Sequence, residues 1–188
     1  MPNFYSSPLA SHFADGAQVA ATTTETILHP VFSFGAGDSR LFQGATFRLS
    51  AFFDISNVVT TPGTVRFRIR WGGAAGAVVA DTGTIAMDTT ARANFAGSLE
   101  ALLVFRSIGS AGSAFCQGRV FLNNVPVAAA ADPQGVYTMG SAGENSPAVV
   151  GSLDTTTAKD LAVTVQFSVN TVGTQITNHV ALLEALHT

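Results

Sequence analysis

Residues 64–71 read Thr-Val-Arg-Phe-Arg-Ile-Arg-Trp, so that Val65, Phe67, Ile69 and Trp71 alternate with Thr64, Arg66, Arg68 and Arg70. Successive side chains of a pleated strand point to opposite faces, and strict alternation over eight residues predicts a strand with one apolar and one basic side. A helix would scatter the three arginines around its circumference. Upstream, Thr61-Pro62-Gly63-Thr64 suits a type II turn, with Pro presetting φ at the second position and Gly accepting positive φ at the third. Downstream, Gly72-Gly73-Ala74-Ala75-Gly76 ends the pattern.

The same grammar of apolar strand and Gly/Thr/Asn break runs outward in both directions. Residues 45–56 alternate through Phe47, Leu49, Ala51, Phe53 and Ile55. A turn at 57–63 would pair them antiparallel with 64–71 and place Arg48 and Asp54 beside the arginine stripe. Residues 77–87 surround Asp81-Thr82-Gly83, either as a tight hairpin or as one strand with a glycine bulge. In 94–108 both faces are apolar over Ala101–Phe105, which predicts a strand covered on two sides. Residues 113–123 and 160–170 read as further strands, and 176–186 is again apolar on both faces. Thr24–Phe34 is interrupted at Pro30 and belongs at an edge or a bulge, because proline donates nothing to a ladder. The count predicts an all-β fold, an eight-stranded antiparallel jelly-roll sandwich over 24–188, with an irregular N-terminal arm at 1–23. Strands of ten or more residues favour the jelly roll over a short-stranded immunoglobulin-like sandwich. The arm carries Phe4, Tyr5 and Phe13, and reads either as a loose terminus or as a segment whose aromatics dock on a neighbour. Residues 124–152 form the longest irregular stretch and a candidate partner-contacting surface.

Charged residues make up 11% of the 188, against roughly 25% in an average soluble protein. The mean hydropathy is +0.34, yet no run approaches the roughly 20 apolar residues of a membrane-spanning helix. Such a surface in isolation would expose large apolar patches, so self-association is expected. A net charge of −3 and a single lysine, Lys159, argue against a nucleic-acid binder. The one cysteine, Cys116, excludes an intrachain disulfide and reads as a small buried hydrophobe. No signal peptide is read at the N-terminus.

Little in the sequence points to catalysis. His12, His29, His179 and His187 show no metal-ligand spacing, and no Gly-x-Ser-x-Gly elbow occurs, so no metal, cofactor or catalytic residue is expected. Glu100 with Glu184 or Asp54 could supply a glycosidase pair, against the plainer reading of acids facing arginines across strands. The arginines Arg66, Arg68 and Arg70 read as a solvated face, a nucleic-acid groove short of aromatics, or a ladder meeting acids on a neighbouring subunit. A lectin reading is weak, because Trp71 falls on the core side.

Residues 24–187 resemble the jelly-roll virion proteins of tailed bacteriophages. The likeness lies in Thr-Val-Arg-Phe-Arg-Ile-Arg-Trp-Gly-Gly (64–73), Ala-Asp-Thr-Gly-Thr (80–84), Leu-Glu-Ala-Leu-Leu-Val-Phe-Arg (99–106), Gln-Gly-Arg-Val-Phe (117–121) and Leu-Ala-Val-Thr-Val-Gln-Phe (161–167). The resemblance implies a head decoration (cement) protein, a homotrimer on the capsid exterior in contact with the major capsid protein, assembled in the host cytoplasm. A receptor-binding or tail-fibre module is the alternative, and an enzyme the least favoured. The resemblance carries over no site residues; the partner contacts expected from the arm's aromatics and the arginine stripe are Phe4, Tyr5, Phe13, Arg66, Arg68 and Arg70.

Overall fold

A computed structural model describes residues 5–58, 62–123, 135–141 and 148–187; Phe4 lies outside them. The described residues hold fourteen strands and no helix. In chain order they are β1 (Tyr5–His12), β2 (Val19–Ala20), β3 (Thr26–Ile27), β4 (Phe32–Phe34), β5 (Thr46–Asn57), β6 (Thr64–Trp71) and β7 (Ala77–Asp81). There follow β8 (Ile85–Ala86), β9 (Arg92–Ser107), β10 (Gly112–Leu122), β11 (Val136–Gly140), β12 (Val149–Leu153), β13 (Lys159–Phe167) and β14 (Gln175–His187).

The strands form two layers. The first sheet runs β1-β14-β5-β9-β10, extended by β11 and β12, which lie end to end along β10. The second runs β7-β6-β13-β3, with β8 continuing β7 along β6 and β4 continuing β3 along β13. One pair, Gly140 opposite Asp81, joins the layers. Every pairing is antiparallel, and the chain is folded double on itself. β1 pairs with β14, β3 and β4 with β13, β5 with β9, and β6 with β7 and β8. Those four nested pairings are the jelly-roll topology, and β10–β12 are an addition to its first sheet.

This nesting overturns three local expectations. The 57–63 connection is a crossover between layers and not a hairpin, because β5 pairs with β9 and β14 while β6 pairs with β13. Arg48 and Asp54 therefore lie on the opposite side of the molecule from the arginine stripe. Residues 5–12 and 19–20 of the expected irregular arm are strands paired with β14, so the sandwich begins before residue 24. Within the stretch 124–152, Val136–Gly140 and Val149–Leu153 are strands of the first sheet.

The alternating apolar residues of each strand face inward as their period demands. Val65, Phe67, Ile69 and Trp71 of β6 are at most 3% exposed and meet the inward residues of β5 and β9. Phe53 stacks on Phe67 at 5.3 Å between ring centroids, and Trp71 meets Phe105 edge-on at 5.1 Å. The Trp71 indole N–H donates to the Asp154 carbonyl at 2.8 Å, satisfying the one polar atom that this strand buries in the core. After Trp71, Gly72 and Gly73 both hold positive φ (104° and 75°) and turn the chain into β7. Cys116 is buried, and desolvation pushes its thiol up to about 12, so it serves as a hydrophobe.

The two faces of β14 follow from a bulge between Asn178 and Val180. It moves the inward set from Ile176 and Asn178 to Ala181, Leu183 and Ala185, all of them buried. On β9, by contrast, Leu102 points outward and is 45% exposed.

Two predictions follow from this core. Gly97 sits opposite Phe53, and a Cβ there would fall 2.2 Å from a ring pinned by its stack on Phe67. Gly97→Ala is expected to cost about 1–3 kcal/mol by overpacking, read as a lower urea midpoint at unchanged slope. His29 is 2% exposed, with Nδ1–H donating to the Pro30 carbonyl at 2.6 Å and its ring stacked near His12. Burial, reinforced by His12 and only partly offset by the Pro30 bond, lowers it from 6.5 to about 4. The unfolded chain then takes up the proton first. Stability supplied by the neutral ring is complete above pH 6.5 and declines as pH falls toward 4, by about 3 kcal/mol in all. Denaturant titrations from pH 7 to 4.5 should show that decline in the parent chain and a shallower one in His29→Phe.

Candidate functional site

Burying one side of β6 sends Arg66, Arg68 and Arg70 to the outer face of the second sheet, and the acids that meet them come from the same chain. Asp81 stands opposite Arg68 on β7 and accepts from Arg68 Nε at 2.9 Å and from Arg66 Nε and Nη2 at 2.8 and 2.5 Å. Glu25, just before β3, takes Arg68 Nη1 at 2.5 Å and Arg70 Nε and Nη2 at 2.5 and 2.7 Å. It also accepts the Thr164 hydroxyl. Burial works to raise both carboxyls. The Arg70 and Thr164 hydrogen bonds to Glu25, and those from Arg66, the Gly83 N–H and Arg68 to Asp81, outweigh it and hold both below their ordinary values. The stripe expected to seek acids on a neighbouring subunit is thus an intrachain network that fastens residues 23–27 across β13. Sequence reasoning missed Glu25, which has no periodic or motif signal and sits between threonines.

The outer face of the first sheet is different. Cross-strand registers set its side chains in rows running across the strands. One row is Val180, Phe52, Ser98, Phe121 and Val136. The next is Leu182, Ser50, Glu100, Arg119 and Thr138, and the third Glu184, Arg48, Leu102 and Gln117. The fourth is Leu186, Thr46, Val104, Phe115 and Val149. Phe52, Leu102, Phe121, Val136 and Val149 are all exposed here, uncovered by any described part of the chain. Phe13, directly after β1 at one edge, is 77% exposed.

The second to fourth rows line a groove of about 720 Å³. Its charges are paired internally: Arg119 Nη2 donates to Glu100 at 2.8 Å, and Arg48 lies 3.6 Å from Glu184. Asp54 receives His179 Nε2 at 3.0 Å, while Asp15 binds the other ring nitrogen at 2.7 Å. Those two bonds, Asp15 first, raise His179 above its ordinary value. Each acid considered for a glycosidase pair therefore faces a basic side chain. Glu100 and Glu184 do share the groove, two strands apart and offset by one row, about 12 Å between their backbones by strand spacing and rise.

No protein-family model and no curated protein matches this sequence. Among solved structures, the chain is similar to the CBM2 module of Lactobacillus casei BL23 phage J-1 evolved Dit (11% identity, TM-score 0.35, 84% of this chain and 69% of that one). It is similar also to peanut lectin with a 9mer peptide (11% identity, TM-score 0.39, the whole of both chains). Likenesses this loose lend the chain no function.

The network on the second sheet is open to a direct test. Glu25→Ala leaves Arg68 and Arg70 facing each other without their shared acid, and is expected to cost about 3–5 kcal/mol. In the parent chain, the stability that Glu25 and Asp81 supply is complete above their unfolded values of 4.5 and 3.8. It is lost as pH falls below them. Acid titration of Glu25→Ala should show a smaller loss over that interval.

Proposed function

We propose that this chain is a non-enzymatic structural protein of a bacteriophage virion. In this reading it is a head decoration (cement) protein that works as a homotrimer on the capsid exterior, against the major capsid protein. The observation that carries the reading is the exposed apolar set Phe52, Phe121 and Val136 on the outer face of the first sheet, with half-buried Val180 beside Phe52 and Ser98 between Phe52 and Phe121. Single exposed apolar residues are ordinary, but three of them on one row of a sheet face are what closed association of copies would bury. Exposed Phe13 at the edge of the same sheet supplies a second anchor, in keeping with the resemblance to phage jelly-roll proteins. The groove beside the row favours one alternative, a receptor-binding module of the same virion.

Light scattering of the purified protein is expected to give about 58 kDa, three chains of 19.4 kDa. The double variant Phe52→Asp, Phe121→Asp should fall to the single-chain mass. A parent chain that stays single at micromolar concentration would remove this reading. Co-sedimentation with heads lacking the protein, against tails, separates the decoration role from the receptor role.

A further inference from the structure

We propose that the groove on the first sheet binds a neutral polyhydroxylated ligand, a short run of an oligosaccharide chain. The site uses the charged rows of that face and borders the apolar row at Val136; it does not rest on the decoration reading.

The size is suitable, since about 720 Å³ lies within the roughly 300–1,000 Å³ of small-ligand sites. The chemistry narrows the class. A hydroxyl is both a donor and an acceptor, so a surface that reads hydroxyls needs both kinds of group close together. Glu100 beside Arg119 and Glu184 beside Arg48 present carboxylate lone pairs next to guanidinium N–H groups, and Gln117 adds an amide. The four charged side chains of the lining are matched two by two, so their sum is zero, and an ion bound to any of them would have to displace its resident partner. The fold gains little from the central pair. The Arg119 and Glu100 side chains are 65% and 49% exposed, and pairs in such settings contribute about 0–1 kcal/mol.

Leu102 and Phe115 flank these polar groups and offer an apolar surface to the C–H side of a sugar ring. The Arg106 guanidinium lies 5.2 Å from the Phe115 ring centroid and steadies it. A peptide fits less well. The groove floor is the face of a sheet, whose main-chain groups are already paired between strands, so an extended peptide finds no free edge to join.

The test uses the full chain on immobilised cello-, malto-, chito- and galacto-oligosaccharides, with an oligogalacturonate as the anionic probe and a neutral decapeptide as the peptide probe. Retention of at least one neutral oligosaccharide is expected. Arg119→Ala and Glu100→Ala should each weaken it tenfold or more, with melting temperature and solution mass unchanged. Val172→Ser, at a position 85% exposed in the turn before β14 and outside the groove, should leave it within twofold. The proposal is overturned if no neutral oligosaccharide is held at millimolar concentration, or if both groove variants bind as the parent does. Preference for the oligogalacturonate or the decapeptide overturns it as well.

Discussion

Three guanidiniums on one short strand cannot be relieved by giving up a proton, because arginine keeps its charge at any pH that a folded protein meets. The apolar half of β6 belongs in the core, and burying it forces Arg66, Arg68 and Arg70 together on the opposite face. Left alone they would repel one another. Asp81 answers from the neighbouring strand, and Glu25 from the segment that leads into β3, where Leu28 enters the core. The result is that β13 is covered on both sides. Ala162 and Thr164, which face away from the core, are as inaccessible as Val163 and Val165, which face into it. A charge problem set by one strand thus helps fix the path of residues 23–27 across β13.

The period of the strands was open to reading from residues alone, whereas their partners were not. Alternation fixes which side of 64–71 is buried, and Trp71 on the core side follows directly. It carries no information about which strand lies alongside, and the short 57–63 connection looks like a hairpin although it passes between layers. The Tyr5–His12 strand was illegible for a related reason. Its Ser, Pro and Ala residues have no pattern of their own, and it becomes a strand because β14 offers it an edge. In 176–186 the apparent oiliness of both faces has a local cause. A bulge at the Asn178–Val180 step exchanges the faces midway, so a uniform two-residue period misassigns half of the strand. Glu25 was hidden because an acid that answers arginines from far along the chain leaves no spacing to find.

The two outer faces have been given opposite treatments. On the second sheet, charge is matched by the chain's own acids and roofed by its own N-terminal segment. On the first, arginine and glutamate are matched side by side in the open, while Phe52, Leu102, Phe121 and Val136 remain in contact with solvent. The addition of β10, β11 and β12 is what widens this face enough to hold both an apolar row and a groove. An eight-stranded jelly roll without them would end at β9 and lack Phe115, Arg119 and Phe121 altogether. The part of the chain that departs from the basic topology is therefore the part that builds its one broad open surface.

The pairing of Tyr5 with His187 has a consequence in time as well as in space. Residues 5–12 have no partner on β14 until residues 181–187 have been made, and the pairs nested inside this one span progressively shorter separations. Closing such distant contacts is entropically slow. Loop closure alone therefore favours the β6–β7 turn over the β1–β14 seam. Of the nested ladders, the seam is the one whose closure spans the most chain.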